Sequence, residues 1–294
     1  MRIFVENDIL KVEIDSFGAE VKSVLDKTNY REYMWYGNPK FWGRTSPVLF
    51  PFVGSLKNKT YSYAGREYHM GQHGFARDME FTLDSREDKE VWFKLVSDNS
   101  TYEKYPFEFE LKIGYILNDN QLTVKWQVTN TGDKRMYFSI GAHPAFLVPV
   151  HGENNKVGYK LRFEGTDRII HHGNTLDTGL AIMEDKKLEL TDGTVTIDED
   201  FFDHCTYMIE NNQTKCVGIE DAAGNKIVDV NFDTPLFAIW SPEKKNAPFI
   251  CIEPWYGRCD AIDFEGSIEG RAFTNVLECN ETFEGGYEIT YYTI

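Results

Sequence analysis

The stretch "FSIGAHPAFLVP" (138–149) places an imidazole inside an apolar, strand-like run. Pro144 fixes its own φ and drives the preceding residue toward extended geometry, so His143 is held on a restricted backbone. The small residues Gly141, Ala142 and Ala145 leave room around its ring. Two interpretations remain open at this point: a satisfied histidine at a strand end, or a general acid or base directed at a ligand.

A carboxylate stands in a similar setting in "PFICIEPWYGRCD", where Glu253 directly follows the apolar run 249–252. A charge at the end of a buried strand needs a partner or a function. Pro254 restricts its backbone, and Trp255 follows. An aromatic ring beside a carboxylate is a common arrangement for gripping a sugar, since the ring covers the C–H face. An ion pair with Arg258 explains Glu253 equally well from the sequence alone.

Other segments supply further polar candidates. "GQHGFARDMEF" carries His73 and Arg77 among glycines that permit close backbone approach to a ligand, although most such His-Gly pairs are turns. Arg44 precedes a nearly uncharged run, where it can bind an anion or close a sheet edge. Asp203, in "FFDHCTYMIE", is typical of a cap or turn. In "HHGN" (171–174), expected to be a polar loop, adjacent histidines point to opposite faces, which argues against a shared metal.

The elements that must position these residues are strands. In "LKVEID" and "LTVKWQVT", apolar and polar residues alternate with a period of two, which is typical of half-buried β-strands. "NDNQ" (118–121) and "DAAGNK" (221–226) predict turns between strands, and "YEITYYTI" predicts a final strand. Helical periodicity is scarce, with short helical turns expected only in "NPKFWGR" and near "SPEKKNAPF". The pattern predicts an all-β fold, a large antiparallel β-sandwich forming one domain over 1–294.

Composition excludes several classes of function. The chain has 294 residues and a formal net charge of -16, which disfavours nucleic acids and anionic membranes as partners. The N-terminus lacks the apolar run of a secretory signal, and no stretch approaches the roughly 20 apolar residues of a membrane span. The five cysteines are odd in number and never form CxxC, which fits a reduced cytoplasmic protein. The sequence is compatible with a monomer or a homodimer.

Five segments, taken in order, carry a resemblance to a known family over nearly the whole chain: "RTSPVLFPFVGSL", "QHGFARDMEF", "GAHPAF" with "FDH", "EPWYGRCD" and "ETFEGGYEI". They resemble the aldose 1-epimerase (galactose mutarotase) superfamily, and more closely its LacX-like branch. The resemblance implies a large antiparallel β-sandwich, the galactose mutarotase-like supersandwich, with a sugar cleft on one curved sheet.

The resemblance also implies roles for individual residues. His143 matches the family's general acid and Glu253 its general base. His73 matches a histidine that contacts the sugar, and Asp203 an aspartate that holds a ring hydroxyl. Ser55 stands where many relatives carry a substrate-binding arginine, so Arg44 or Arg77 is left to supply the guanidinium, and Trp255 completes the candidate binding set.

The implied reaction is interconversion of the α and β anomers of an aldohexose such as galactose or glucose. It needs one base and one acid and requires neither metal nor nucleotide cofactor. We expect ionised Glu253 and protonated His143 at rest, and a bell-shaped pH profile with Glu253 on the acid limb. Alternatives are a hexose-6-phosphate mutarotase, a non-catalytic sugar-binding protein on the same fold, and a glycoside hydrolase, which would need a second carboxylate.

Overall fold

The computed structural model describes residues 1–150 and 155–293. The strands of this part of the chain are β1 Arg2–Glu6, β2 Leu10–Asp15, β3 Glu20–Asp26, β4 Arg31–Glu32, β5 Val48–Leu49, β6 Thr60–Tyr63, β7 Arg66–His69, β8 Thr82–Arg86, β9 Glu90–Val96, β10 Phe109–Asn118, β11 Gln121–Asn130, β12 Met136–Phe138, β13 Ile140–Ala142, β14 Ala145–Leu147, β15 Lys160–Phe163, β16 Arg168–Asn174, β17 Ala181–Glu189, β18 Thr194–Thr196, β19 Tyr207–Glu210, β20 Cys216–Glu220, β21 Lys226–Phe232, β22 Leu236–Trp240, β23 Phe249–Tyr256, β24 Asn275–Leu277 and β25 Thr282–Tyr291. Within the same residues, helix is limited to α1 (Asn99–Tyr102) and to 3-10 turns at Lys57–Lys59, Ala76–Asp78 and Ile268–Gly270.

Two large antiparallel sheets dominate the fold. One has nine strands in the order β18-β15-β20-β21-β25-β11-β10-β9-β8. The other has the order β17-β16-β19-β22-β23-β13-β5, with β14 also pairing with β23. The remaining strands form a four-stranded sheet, β1 to β4, and the pairs β12–β24 and β6–β7. The predicted all-β antiparallel architecture is confirmed.

The alternation of apolar and polar residues in the sequence correctly predicts which strand residues are buried. β2 alternates between buried and half-buried residues, and in β11 the apolar residues Leu122, Val124, Trp126 and Val128 are all buried. β10 and β11 form the predicted hairpin, with Asn118 paired to Gln121 and a positive φ at Asp119. The 221–226 turn and the last strand are confirmed as well, with Ile294 outside the described residues.

Local expectations fail where tertiary contacts decide the conformation. "NPKFWGR" and "SPEKKNAPF" form turns and extended chain without helix. "HHGN" lies in strand β16 instead of a polar loop, because β17 and β19 pair with it on either side. His171 packs against Tyr207, and His172 lies 3.9 Å from the Glu210 carboxylate. The two histidines do face different neighbours, as their adjacency on a strand predicts.

The two faces of the eight-stranded sheet pack against different parts of the protein. Alternate residues of β23, Ile250 and Ile252, belong to the main core shared with the nine-stranded sheet. Across that interface, Phe232 of β21 and Phe237 of β22 bring their ring centroids to 4.9 Å. The intervening β23 residues, from Cys251 onward, point to the opposite face, where smaller apolar clusters form. That second face carries the candidate site.

No helix among the described residues has the length and apolar character needed to cross a lipid bilayer.

Candidate active site

The register of three strands brings His143 to Glu253. β13 and β14 both pair antiparallel with β23, with Gly141 opposite Trp255 and Ala145 opposite Cys251. These two pairs belong to one continuous register, interrupted only at the His143–Pro144 step, where proline cannot donate a ladder hydrogen bond. Within that register His143 is the residue opposite Glu253. The proline therefore opens the ladder at the position where the two functional side chains face each other.

The side chains of this pair are close, buried and sparsely hydrogen-bonded. His143 Nε2 lies 3.3 Å from Glu253 Oε2, and the two residues are 7% and 1% exposed. Neither carboxylate oxygen of Glu253 makes a hydrogen bond of normal geometry with the described residues, and neither does Nδ1 of His143. The alternative ion pair is not formed, because Arg258 Nε donates to Glu210 instead, at 2.7 Å. Buried polar atoms without partners are uncommon and mark a site built to receive something else.

Burial sets the electrostatics of the pair. It raises the pKa of Glu253 well above its ordinary value, and the neighbouring Trp255 indole opposes this only in part. Burial, and then the positive charge of Arg77, lowers the pKa of His143 to about 3. In the protein alone, low polarity thus favours a protonated Glu253 and a neutral His143. This corrects the order expected from ordinary pKa values, which ignored the cost of placing both charges inside the protein.

Tryptophans enclose the imidazole of His143. Trp42 stacks on it with ring centroids 4.6 Å apart, and Trp240 meets it edge-on at 5.3 Å. Trp255 lies two residues beyond Glu253 on the same face of β23, where Gly141 makes room, since a Cβ there would lie 2.6 Å from the indole. An aromatic face next to an imidazolium is stabilising, so Trp42 favours the charged form that burial disfavours.

His73 reaches the same place from a strained turn. It adopts φ +64° and is followed by Gly74 at φ +70°, where a Cβ would lie 2.2 Å from the carbonyl oxygen of Phe50. Its Nδ1 accepts a hydrogen bond from the backbone N–H of Gly54 at 3.1 Å, which leaves the neutral ring with its proton on Nε2. Burial, followed by the charge of Arg77, lowers the pKa of His73 well below its usual value. His73 is therefore a neutral N–H donor, with its ring centroid 5.6 Å from that of His143.

These groups share a cavity of about 330 Å³, which is at the small end of the range for ligand pockets, roughly 300–1,000 Å³. Glu253, His143, His73, Trp255 and Arg77 all line it. The structure thus brings five of the sequence-predicted residues to one cavity. The rest of the wall comprises Trp42, Gly54, Ser55, Gln72, Asn174, Leu176, Asp177, Thr178, Gly179, Thr206, Met208, Trp240, Glu243 and Cys259.

Two predicted site residues lie elsewhere. Asp203 accepts the backbone N–H of Lys244 at 2.7 Å and borders a second, smaller cavity together with Lys156. Asp203 stands in a turn before β19 and is not among the residues that line the cavity, and its contact with a ring hydroxyl stays a prediction. Arg44 is paired with Asp78 at 2.7 Å and does not line the cavity. Of the two arginines considered for the role of the arginine that Ser55 replaces, Arg77 is the one that lines the cavity, as Ser55 does.

Sequence reasoning missed several lining residues. Trp42 and Asp177 come from segments outside the regular strands, and no periodicity singles them out. Trp240 ends β22, which pairs with β23. Cys251 does not line the cavity, but its proximity to the site could have been found, because it stands two residues before Glu253 and so shares its face. A nitrogen of His143, the Cys251 sulfur and a Glu253 oxygen lie within 4.8 Å of one another, the arrangement among described residues that could hold a metal ion.

The chain is similar to known proteins over most or all of its length. The family model described as "Aldose 1-epimerase" matches residues 1–267. Protein LacX (chromosomal) of Lactococcus lactis subsp. lactis is 30% identical over 299 residues, covering 99% of each chain. A galactose mutarotase related enzyme from Lactobacillus acidophilus superposes with a TM-score of 0.93 at 34% identity, covering 100% of this chain and 98% of the other. A galactose mutarotase-like protein from Lactobacillus casei gives 0.91 at 28% identity, covering 99% and 100%.

Proposed function

Because the chain belongs to the aldose 1-epimerase family, in its LacX-like branch, we propose that it is a mutarotase that interconverts the α and β anomers of a free aldohexose such as galactose or glucose. The observation that carries the proposal is the contact between His143 Nε2 and Glu253 Oε2, 3.3 Å apart in a sugar-sized cavity. A protein that only binds sugar has no need for an acid and a base in contact at its centre.

The chemistry follows from the position of the two groups. Ring opening takes the proton from the C1 hydroxyl and places a proton on the ring oxygen. Both oxygens are bonded to the same carbon, so a base and an acid that are neighbours match them. Glu253 accepts the first proton and His143 donates the second. The aldehyde end then rotates and the reverse transfers close the ring on its other face, each positioned group contributing about 10²–10⁴-fold.

The pair carries one labile proton in two arrangements. The uncharged one places it on Glu253, and the ion pair places it on His143. Moving between them is a proton shift across the 3.3 Å contact, so no exchange with solvent is required. Sugar hydroxyls that donate to Glu253, together with Trp42 against the imidazole, favour the ion pair. The bound sugar thereby restores the catalytic order that burial opposes in the protein alone.

Because the His143–Glu253 pair shares one proton, the expected pH profile differs from the one that ordinary pKa values predict. kcat/KM for anomer exchange should be constant while the pair holds one proton. Its acid limb should lie near pH 3, where His143 takes up a second proton, and its alkaline limb should follow loss of the last proton at the raised pKa of Glu253. Polarimetry at each pH, corrected for spontaneous mutarotation and for folding by circular dichroism, measures it. An acid limb between about pH 4 and 7 would contradict the lowered pKa of His143.

The charge of the cavity wall bears on the substrate. Among the described residues that line the cavity, Arg77 is the one arginine or lysine, while Asp177 and Glu243 are carboxylates in addition to Glu253, which is protonated in the protein alone. A phosphate adds about −1.5 to −2 charges near neutral pH, which this wall would repel. We therefore expect free glucose or galactose to be exchanged with a kcat/KM at least about 10-fold above that of glucose 6-phosphate. A preference for the phosphorylated sugar, measured by exchange NMR, would instead favour the hexose-6-phosphate alternative.

The proposed function is tested directly with freshly dissolved α-D-galactose or α-D-glucose. Acceleration of anomer exchange by the protein, beyond a matched sample of heat-denatured protein, is the expected result. Sugar binding by calorimetry without acceleration would instead identify a sugar-binding protein. Release of a reducing end from a disaccharide would identify a hydrolase.

A further inference from the structure

Cys251 is a buried thiol beside the site, and the proposed reaction does not use it. It is fully buried, two residues before Glu253 on the same face of β23. The same register that places His143 opposite Glu253 places Ala145, a very small side chain, opposite Cys251. The thiol therefore has no bulky partner on β14, and it packs in an apolar cluster that includes Trp35 and Phe249. One nitrogen of His143, the sulfur of Cys251 and one oxygen of Glu253 lie within 4.8 Å of one another.

Imidazole, thiolate and carboxylate are the three ligand types of zinc sites. Their usual bond lengths of about 2.0–2.3 Å place tetrahedral ligands about 3.3–3.8 Å apart, so these atoms need to move by about 1 Å or less. A thiolate and a carboxylate also balance the charge of a divalent cation, which makes burial of the complex affordable where burial of either anion alone is costly. Three protein ligands leave a fourth position open, and two of the three, His143 and Glu253, line the cavity.

Independent evidence for a ligand comes from unpartnered atoms at this point. Glu253 and His143 are more than nine-tenths buried, yet both carboxylate oxygens and the imidazole Nδ1 lack hydrogen bonds of normal geometry within the described part of the chain. The charge of Lys156 acts on the Cys251 thiol, and its Nζ donates to the carbonyl of Ala247 at 2.8 Å. Burial, and then the charge of Glu253, raises the pKa of the Cys251 thiol well above its usual value, and Lys156 opposes this rise while repelling a cation.

We propose that His143, Cys251 and Glu253 form a binding site for a thiophilic divalent cation of the zinc type, and that the bound cation excludes the sugar. Binding forms one metal–sulfur, one metal–nitrogen and one metal–oxygen bond, and it releases the thiol proton and the labile proton of the His143–Glu253 pair to solvent. Metal binding at this site does not depend on the proposed function. Only the exclusion of the sugar by the metal rests on the proposed function.

The test uses Co²⁺ as a spectroscopic probe and Zn²⁺ in calorimetry, in a Cys279→Ser background that removes the exposed thiol. The expected result is one bound ion with a sulfur-to-cobalt charge-transfer band. Cys251→Ser should abolish the band and weaken Zn²⁺ binding at least about 100-fold, since even outer-shell changes cost about 10–100-fold. Cys216→Ser, a matched change of another buried thiol, should retain both. Equal Zn²⁺ binding in Cys251→Ser and Cys216→Ser would overturn the proposal.

A second measurement does not depend on the folding of a variant. Zinc X-ray absorption on the Cys279→Ser protein should show one sulfur at about 2.3 Å with lighter scatterers at about 2.0–2.2 Å. A spectrum with nitrogen and oxygen alone would exclude Cys251. Competition is measured separately, as the loss of galactose binding on adding Zn²⁺. Metal binding that needs Cys251 in a protein without mutarotase activity would refute the proposed function alone, and mutarotase activity without metal binding would refute this inference alone.

Discussion

Glu253→Gln should lower kcat/KM for anomer exchange by about 10³-fold or more while leaving the protein folded. Glutamine has the shape of glutamate, but its amide cannot take the proton of the C1 hydroxyl. The change therefore removes the base and leaves the position of His143 intact. Loss of a positioned base accounts for about 10²–10⁴-fold, and His143 loses the partner with which it shares a proton. The measurement is the rate of approach to the anomeric equilibrium, by NMR or polarimetry.

Stability separates this loss from unfolding. The pKa of Glu253 is raised in the folded protein, so the unfolded chain ionises first as pH rises, and the folded state loses stability above the ordinary glutamate pKa. Glutamine does not ionise, so Glu253→Gln should melt at the same or a higher temperature near pH 8. Each pKa unit of the removed shift is worth about 1.4 kcal/mol. A clear fall in melting temperature would mean that the carboxylate stabilises the fold, against the arrangement described here.

A matched control comes from the same cavity. Glu243 is a lining carboxylate whose Oε1 accepts from Trp240 Nε1 at 3.3 Å. It makes no ion pair with His143, so Glu243→Gln should reduce kcat/KM about 10-fold or less, mainly through KM. Similar losses in Glu243→Gln and Glu253→Gln would show that the cavity needs negative charge in general and would remove the special role of Glu253.

The sequence was informative wherever one residue's neighbours along the chain decide its environment. Alternation placed Leu122 and Trp126 in the core, and the turn residues Asp119 and Asn120 placed a hairpin. The two X-Pro steps marked His143 and Glu253 for the same reason, since proline restricts the residue before it whatever the tertiary structure. These features are local, and the structure reproduces them.

Properties that arise only on folding were beyond the sequence. The reversed pKa order of His143 and Glu253 comes from burial, which no ordinary pKa value contains. The displacement of Asp203 from the cavity depends on how one turn packs, and the inclusion of Asp177 depends on a segment that follows β16. The contact of Trp42 with His143 becomes apparent only from the stacking of the two rings in the structure. A resemblance to a family predicts which residue types occupy the motif positions. It does not predict the path of the segments that connect the motifs, because that path differs from one chain to another.

The cavity wall is supported by a buried ion pair behind it. Arg271 Nε donates to Asp260 Oδ1 at 2.7 Å, and the two side chains are 2% and 4% exposed. Asp260 Oδ2 accepts the backbone N–H of Lys57, and its own N–H donates to the carbonyl of Ser55, a lining residue. Arg271 also donates to the carbonyl of Arg258 at 2.8 Å. The pair therefore ties the segment after β23 to the segment that carries Ser55.

Arg271→Met should destabilise the protein by about 3–5 kcal/mol, because it leaves the Asp260 carboxylate buried without its counter-charge. Chemical denaturation measures the loss, and Arg135→Met is the matched control. Arg135 pairs with Glu278 with about half of each side chain exposed, so its loss should cost about 1 kcal/mol or less. Adding Asp260→Asn to Arg271→Met should recover part of the stability, since the orphaned charge is then gone. A loss as small as that of Arg135→Met would mean that water reaches Asp260 in solution, and that hydrogen bonds other than this pair hold the wall beside Ser55.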